Sequence, residues 1–351
     1  MELLCSSSYP AISQHLACAY DILTAFLEYL VQLDSTFERI GLDPEHLLKL
    51  RGDMGEALSL TVEFLRDRWD AKFAGAAGYQ MITPGDDVVE LRIQPCDGTP
   101  LNIAWDAVDI EGGLVRDPLI ISAVRALSLW LREDDTLRKE AGGLMDVFLG
   151  LWKQSSEHQV NSSMPEKTVD YRLWLVSAIA GTLTEKNGRE MFKIHGGWDV
   201  VWLDIQNVYR STPPTRLPTL LDSSPETEPQ KLATEELRVL VDWVLVSDYM
   251  DIPHCETKFL EVSRIARITR FQRDTLGGSS KTWLMLDVGV LRLAASLLKK
   301  VPGGSYIHRG SEAEKVKALI RELCGVVHQV GLGGEDVVME LSEIMDELGF
   351  I

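Results

Sequence analysis

Apolar positions recur every three or four residues over most of the chain, and the clearest stretch runs from Asp117 to Trp152, DPLIISAVRALSLWLREDDTLRKEAGGLMDVFLGLW. Ile120, Val124, Leu127 and Leu131 fall on one helical stripe, while Ser122, Arg125, Arg132 and Glu133 point elsewhere. Asp117 suits the N-cap, and Pro118 suits a first turn that needs no amide hydrogen. After the stop and new cap offered by Asp134, Asp135 and Thr136, the stripe restarts at Leu137, Ala141, Leu144, Phe148 and Trp152. Two helices joined almost without a connection predict an antiparallel pair. Off-stripe Ile121 and Leu129 add a second apolar face, as expected of a helix sandwiched between neighbours.

The same periodicity predicts helices over Ile12 to Leu33, Gly52 to Trp69, Tyr171 to Leu183, Trp198 to Tyr209 and Glu235 to Tyr249. Further helices are expected over Lys258 to Phe271, Trp283 to Lys300, Glu312 to Val330 and Asp336 to Leu348. Strand patterning is confined to Asp87 to Ala104, where VVELRIQ and LNIAW flank Pro95 and Gly98; a hairpin and an ordered loop are equally open there. That stretch lies in an irregular insertion at 74–116, and a proline-rich extended loop is expected at 211–229. Trp130, Trp152, Trp174 and Trp198 recur at about one helix plus one connection, so two intervals approximate one armadillo or HEAT unit. The expected fold is therefore all-α: an α-solenoid of armadillo/HEAT-like helical pairs with one irregular insertion, forming a single domain over 1–351.

Composition narrows the function classes. A net charge of -18 over 351 residues disfavours non-specific binding to nucleic acid or to an anionic membrane. Cys5, Cys18, Cys96, Cys255 and Cys324 are odd in number, scattered and never spaced C-x-x-C, which fits reduced thiols in a cytoplasmic protein. The N-terminal MELLCSSSYP lacks a signal-peptide pattern, and the longest apolar stretch, near Leu173 to Leu183, is too short for a transmembrane segment.

Three segments resemble the neurochondrin family: AVRALSLWLREDDTLRKE in the central pair, SLTVEFLRDRWDA from Ser59 to Ala71, and GGWDVVWLDI from Gly196 to Ile205. The resemblance implies a cytosolic armadillo-like protein that binds other proteins, associated in animals with neurite outgrowth and signalling. It brings no catalytic residues. The chain departs from the family in beginning shortly before SLTVEFLRDRWDA, as expected of a fragment or of a shortened or fungal-type member lacking upstream repeats.

Catalytic signatures fail on context. His195-Gly196-Gly197-Trp198 is similar to the oxyanion loop of lipases, but no G-x-S-x-G elbow accompanies it, and a helix-capping turn is the better reading. GGSSKT from Gly277 to Thr282 lacks the glycine and the preceding strand of a phosphate loop. His254 with Cys255 is the only close pair of soft ligands, too few to fix a metal, so neither metal nor cofactor is expected. Asp134 and Asp135 at a helix junction read as a cap and its exposed neighbour.

One electrostatic feature stands apart. From Lys258 to Arg273, KFLEVSRIARITRFQR gathers Lys258, Arg264, Arg267, Arg270 and Arg273, while Val262, Ile265, Ile268 and Phe271 supply the buried stripe. These cations either pair internally, with Glu335, Asp336, Glu340, Glu343, Asp346 or Glu347, or form a surface that receives an acidic or phosphorylated protein segment. The expected function is a non-catalytic scaffold or adaptor recognising protein partners. The competing classes are an enzyme with a site assembled from dispersed residues, and a structural module of a larger complex, for which the Ile12 to Leu33 helix should expose an apolar face.

Overall fold

A computed structural model of the chain describes residues 9–32, 43–73, 117–161, 170, 172–211, 228–276, 281–302, 311–330 and 334–347. Every regular element among them is helical, and no strand occurs there. The fold is all-α, as the periodicity predicts. The stretch 87–104, read as hairpin or loop, lies outside the described residues, as do the rest of the insertion at 74–116 and residues 212–227 of the proline-rich segment.

The helices gather into two compact units, Met1–Met191 and Phe192–Ile351. In the first, α1 (Tyr9–Gln32), α2 (Pro44–Phe73), α3 (Pro118–Glu133), the short α4 (Arg138–Ala141), α5 (Met145–Asn161) and α6 (Arg172–Leu183) follow one another. α3 lies between α1 and α6. Its start follows local chemistry, since Asp117 accepts the Leu119 amide at 3.0 Å and Pro118 occupies the first turn. Both its faces are buried, Leu119, Val124 and Leu131 as well as the off-stripe Leu129. A helix so enclosed must satisfy its last carbonyls from outside: the Arg138 guanidinium donates to the oxygens of Leu131 and Arg132 at 2.9 and 3.1 Å.

The stripe of the second helix is buried throughout, at Leu137, Ala141, Leu144, Phe148 and Trp152. Its backbone is not continuous: a 3-10 turn at Gly142–Leu144 separates α4 from α5. Gly142 is the reason. A Cβ there would stand 3.2 Å from the Gly188 amide nitrogen, so the chain bends where two bare backbones meet.

The device recurs one helix later. α7 (Lys186–Ile194), absent from the sequence expectation, follows α6 as α4 follows α3. Its Arg189 donates to the carbonyls of Leu183 and Thr184 at 3.0 and 2.7 Å. A Cβ at Gly188 would lie 2.1 Å from the Thr182 oxygen, and one at Gly181 2.6 Å from that of Leu131, so glycine alone fits either seat. Long helix, short helix, long helix thus appears twice, with Trp130 and Trp174 in the opening helices and Trp152 and Trp198 in the closing ones.

The second unit contains α8 (Gly197–Ser211), α9 (Glu228–Val246), α10 (Cys255–Leu276), α11 (Lys281–Lys300), α12 (Ser311–Val330) and α13 (Gly334–Glu347). α11 is its centre, packed by α9, α10, α12 and α13. α9 begins at Glu228, so the expected loop gives up Glu228 and Pro229, the proline sitting where a first turn tolerates it. Lys300, at the end of α11, closes the end of α9 by donating to Leu245 and Ser247 oxygens at 3.0 and 2.7 Å. Thr282 follows Lys281 in opening α11, whereas residues 277–280 of the GGSSKT segment lie outside the described residues.

Candidate partner-binding surfaces

Three groups of residues singled out by sequence are places where helices seat on one another. In SLTVEFLRDRWDA, Arg66 of α2 makes a two-pronged pair with Asp146 of α5 at 2.8 and 2.9 Å. Trp69 lies over bare Gly150, whose Cβ would stand 2.0 Å from the indole. In AVRALSLWLREDDTLRKE, Arg125 bonds Glu28 at 3.0 Å and its guanidinium lies 5.4 Å from the Trp174 ring centroid. Asp134 takes Arg51 at 2.6 Å and holds the Thr136 amide at 2.9 Å. Burial pushes the Asp134 carboxyl up, but the hydrogen bonds from Arg51 and Thr136 outweigh it and hold it below the ordinary carboxylate range.

In GGWDVVWLDI the capping-turn reading holds: Gly196 has φ of 68°, and its carbonyl accepts the Asp199 and Val200 amides. A Cβ at Gly197 would stand 2.3 Å from the Phe192 ring. Phe192, Trp198, Trp202 and Trp243 then form one aromatic cluster with centroids 5.4 to 6.0 Å apart.

The described cations of α10 have different surroundings. Lys258 is buried, only 9% exposed, with its ammonium 5.1 Å from the Trp198 ring centroid. Burial lowers its pKa, opposed by Asp199 and Glu261. Arg264 and Arg267 are exposed. Arg267 reaches Glu312 of α12 at 3.4 Å, and Lys315 holds the same carboxylate at 2.7 Å. Arg264 makes no ion pair among the described residues. The side chains of Arg270 and Arg273, and those of Ile268 and Phe271, lie outside the described ones, whereas Val262 is fully buried as the stripe predicts.

The acidic C-terminal helix serves another cation: Glu340 and Glu343 of α13 hold Arg292 of α11 at 3.0 and 3.3 Å. Spacing within a sequence cannot reveal such a choice, since Arg292 and Arg267 compete for carboxylates through the fold.

Sequence reasoning missed a groove. Leu27, Leu30 and Val31 of α1, Leu47, Leu50 and Met54 of α2, and Leu129 and Trp130 of α3 line an open, mostly apolar cavity of about 360 Å³, with Arg51, Glu133 and Asp134 at its edge. The buried Trp130 indole nitrogen has no hydrogen-bond acceptor among the described residues. Cross-helix Arg51–Asp134 is its charged rim; Arg51 carried no signal in sequence, and Asp134 was legible there only as a residue of the helix junction.

Elsewhere, His254 takes a left-handed φ of 54° before α10. Its neighbour Cys255 is buried, its thiol pushed up to about 11 by burial. Among the described residues no three His, Cys, Asp or Glu side chains converge in the manner of a metal site. No described helix is long and apolar enough to cross a membrane. On α1, Ile22 and Tyr29 are exposed, the apolar face that a module of a larger assembly would present.

Charged clasps between helices, bare glycine seats and an indole cluster define an all-α protein whose distinctive residues are used for helix packing. The sequence model of the Neurochondrin family matches residues 1–234, which include all three segments above. The chain belongs to the neurochondrin family. It is also 28% identical over 186 residues to an uncharacterized protein of Schizosaccharomyces pombe, a match covering 53% of this chain and 25% of that protein. The chain thus spans about a quarter of the length of that relative. No solved structure gives a significant match.

Proposed function

We propose that the chain is a non-catalytic scaffold or adaptor of the neurochondrin type, an armadillo- or HEAT-like stack acting as one recognition domain over residues 1–351. The observation that carries this reading is the outer face of α10. Arg264 is exposed and without an ion pair among the described residues, and Arg267 one turn on shares a carboxylate with a lysine. In a chain of net charge -18, exposed guanidiniums with unspent donors suit an acidic or phosphorylated partner segment. Arg270 and Arg273 are included in the proposed surface by their place in the sequence of α10 alone, and Lys258 supports the surface by fixing α10 against Trp198. The free thiols of Cys18 and Cys255 support a reducing, cytoplasmic setting.

The test is affinity capture from cell extract with the native chain and with Arg264→Glu/Arg267→Glu. The native chain should retain a protein that the variant loses, with helical circular dichroism equal in both. Identical capture by the two contradicts the proposal. A second reading, a structural module of a larger assembly, is favoured by the exposed apolar residues of α1.

A further inference from the structure

α1 uses one face inside its unit. Ser13, Ala17, Thr24 and Leu27 are buried, and the Tyr20 hydroxyl bonds Thr61 of α2. On the opposite face Ala11, His15, Cys18, Ile22, Ala25 and Tyr29 are all exposed, Ile22 at 72% and Tyr29 at 54%. They alternate by four and three residues, the spacing of a seam between two helices. This stripe carries no Asp, Glu, Lys or Arg. The only acidic side chains of α1 are occupied by α3: Asp21 accepts from Ser122 and Glu28 from Arg125, each at 3.0 Å. On a molecule of net charge -18, such a neutral stripe is where a second copy can approach with least repulsion.

The order of sizes selects the partner and its direction. Small Ala11, Cys18 and Ala25 alternate with large His15, Ile22 and Tyr29. If a second α1 lies antiparallel, with the two-fold axis at the level of Tyr20, Ala11 faces Tyr29, Cys18 faces Ile22 and Ala25 faces His15. Every small residue then meets a large one, as close packing requires. A parallel pair would set small on small and large on large. Antiparallel axes also oppose the helix dipoles favourably. From Ala11 to Tyr29 the seam is about 27 Å long at 1.5 Å per residue. With its flanks that approaches the lower end of specific interfaces, about 1,000 Å² in total, so a micromolar dimer is expected.

We infer that this face of α1 is a self-association surface, on which two copies of the chain pair antiparallel through Ala11, His15, Cys18, Ile22, Ala25 and Tyr29. Sedimentation equilibrium of the full chain from about 1 to 100 μM should show the mean mass rising with concentration, from 39.2 kDa toward twice that value. Ile22→Glu, at a position whose exposure leaves the fold unaffected, should hold the chain monomeric and weaken pairing at least about 100-fold. With Cys5, Cys18 and Cys96 replaced by serine, Ala11→Cys/Tyr29→Cys should form a disulfide between copies on oxidation, and neither single variant should. A native chain that stays monomeric throughout, a dimer indifferent to Ile22→Glu, or cross-linking by the single variants in place of the double would each overturn the proposal.

Discussion

In the unit Met1–Met191 helices are fastened to their neighbours by charge and by bare backbone: Arg51 on Asp134, Arg66 on Asp146, Arg125 on Glu28, with Gly142 against Gly188 and Gly181 against the Leu131 oxygen. In the unit Phe192–Ile351, where Arg292 on Glu340 and Glu343 makes a clasp of the same kind, an aromatic fastening is added, Phe192, Trp198, Trp202 and Trp243 around one another with the Lys258 ammonium over an indole. The contrast bears on energy and on specificity. Partly exposed ion pairs contribute little stability but fix which helix meets which and in what register. Buried rings contribute several kcal/mol each, with weaker directionality. The three motifs shared with the family lie within the clasps of the first unit or at the entry to the indole cluster of the second.

The largest expected effect tests the aromatic side. Trp243→Ala should destabilise by about 3–5 kcal/mol through the cavity it leaves, read from denaturant unfolding; a loss below about 1 kcal/mol would show that the ring cluster is not the fastening of its unit.

Next is the backbone seat. Gly188→Ala would ordinarily favour a helix, yet its methyl would meet the Thr182 oxygen, and a loss of about 1–3 kcal/mol is expected. A stabilised variant would mean that α6 and α7 do not approach as closely as described.

The smallest effect concerns charge. Asp134 is held below its ordinary pKa, so it contributes stability above the unfolded value near 4 and loses it as pH falls through the lower folded value. The native chain should therefore lose more stability on acidification through that window than Asp134→Asn. Parallel curves of urea midpoint against pH would contradict the Arg51–Asp134 clasp.

How much of this was readable in the chain differs by element. α3 was legible because its cap, its proline and its stripe agree locally, and burial on both faces follows from Leu129 lying off the stripe. α7 was not: Glu185-Lys186-Asn187-Gly188 has the composition of a loop, and a helix forms there because tertiary contacts hold Gly188 and Phe192 in place. The arginine run announced itself by composition, yet the division between buried Lys258 and exposed Arg264 depends on Trp198, far off in sequence. Likewise the groove beside Trp130 combines three helices, none of which signals it alone.

The proposed role of the exposed arginines of α10 is to receive an acidic partner. It is tested most directly by titrating the full chain, with fluorescence anisotropy, against a synthetic peptide rich in glutamate and phosphoserine. Saturable binding that weakens with added salt and is lost in Arg264→Glu/Arg267→Glu is expected. Equal binding by the native chain and the variant, or none by either, would contradict it.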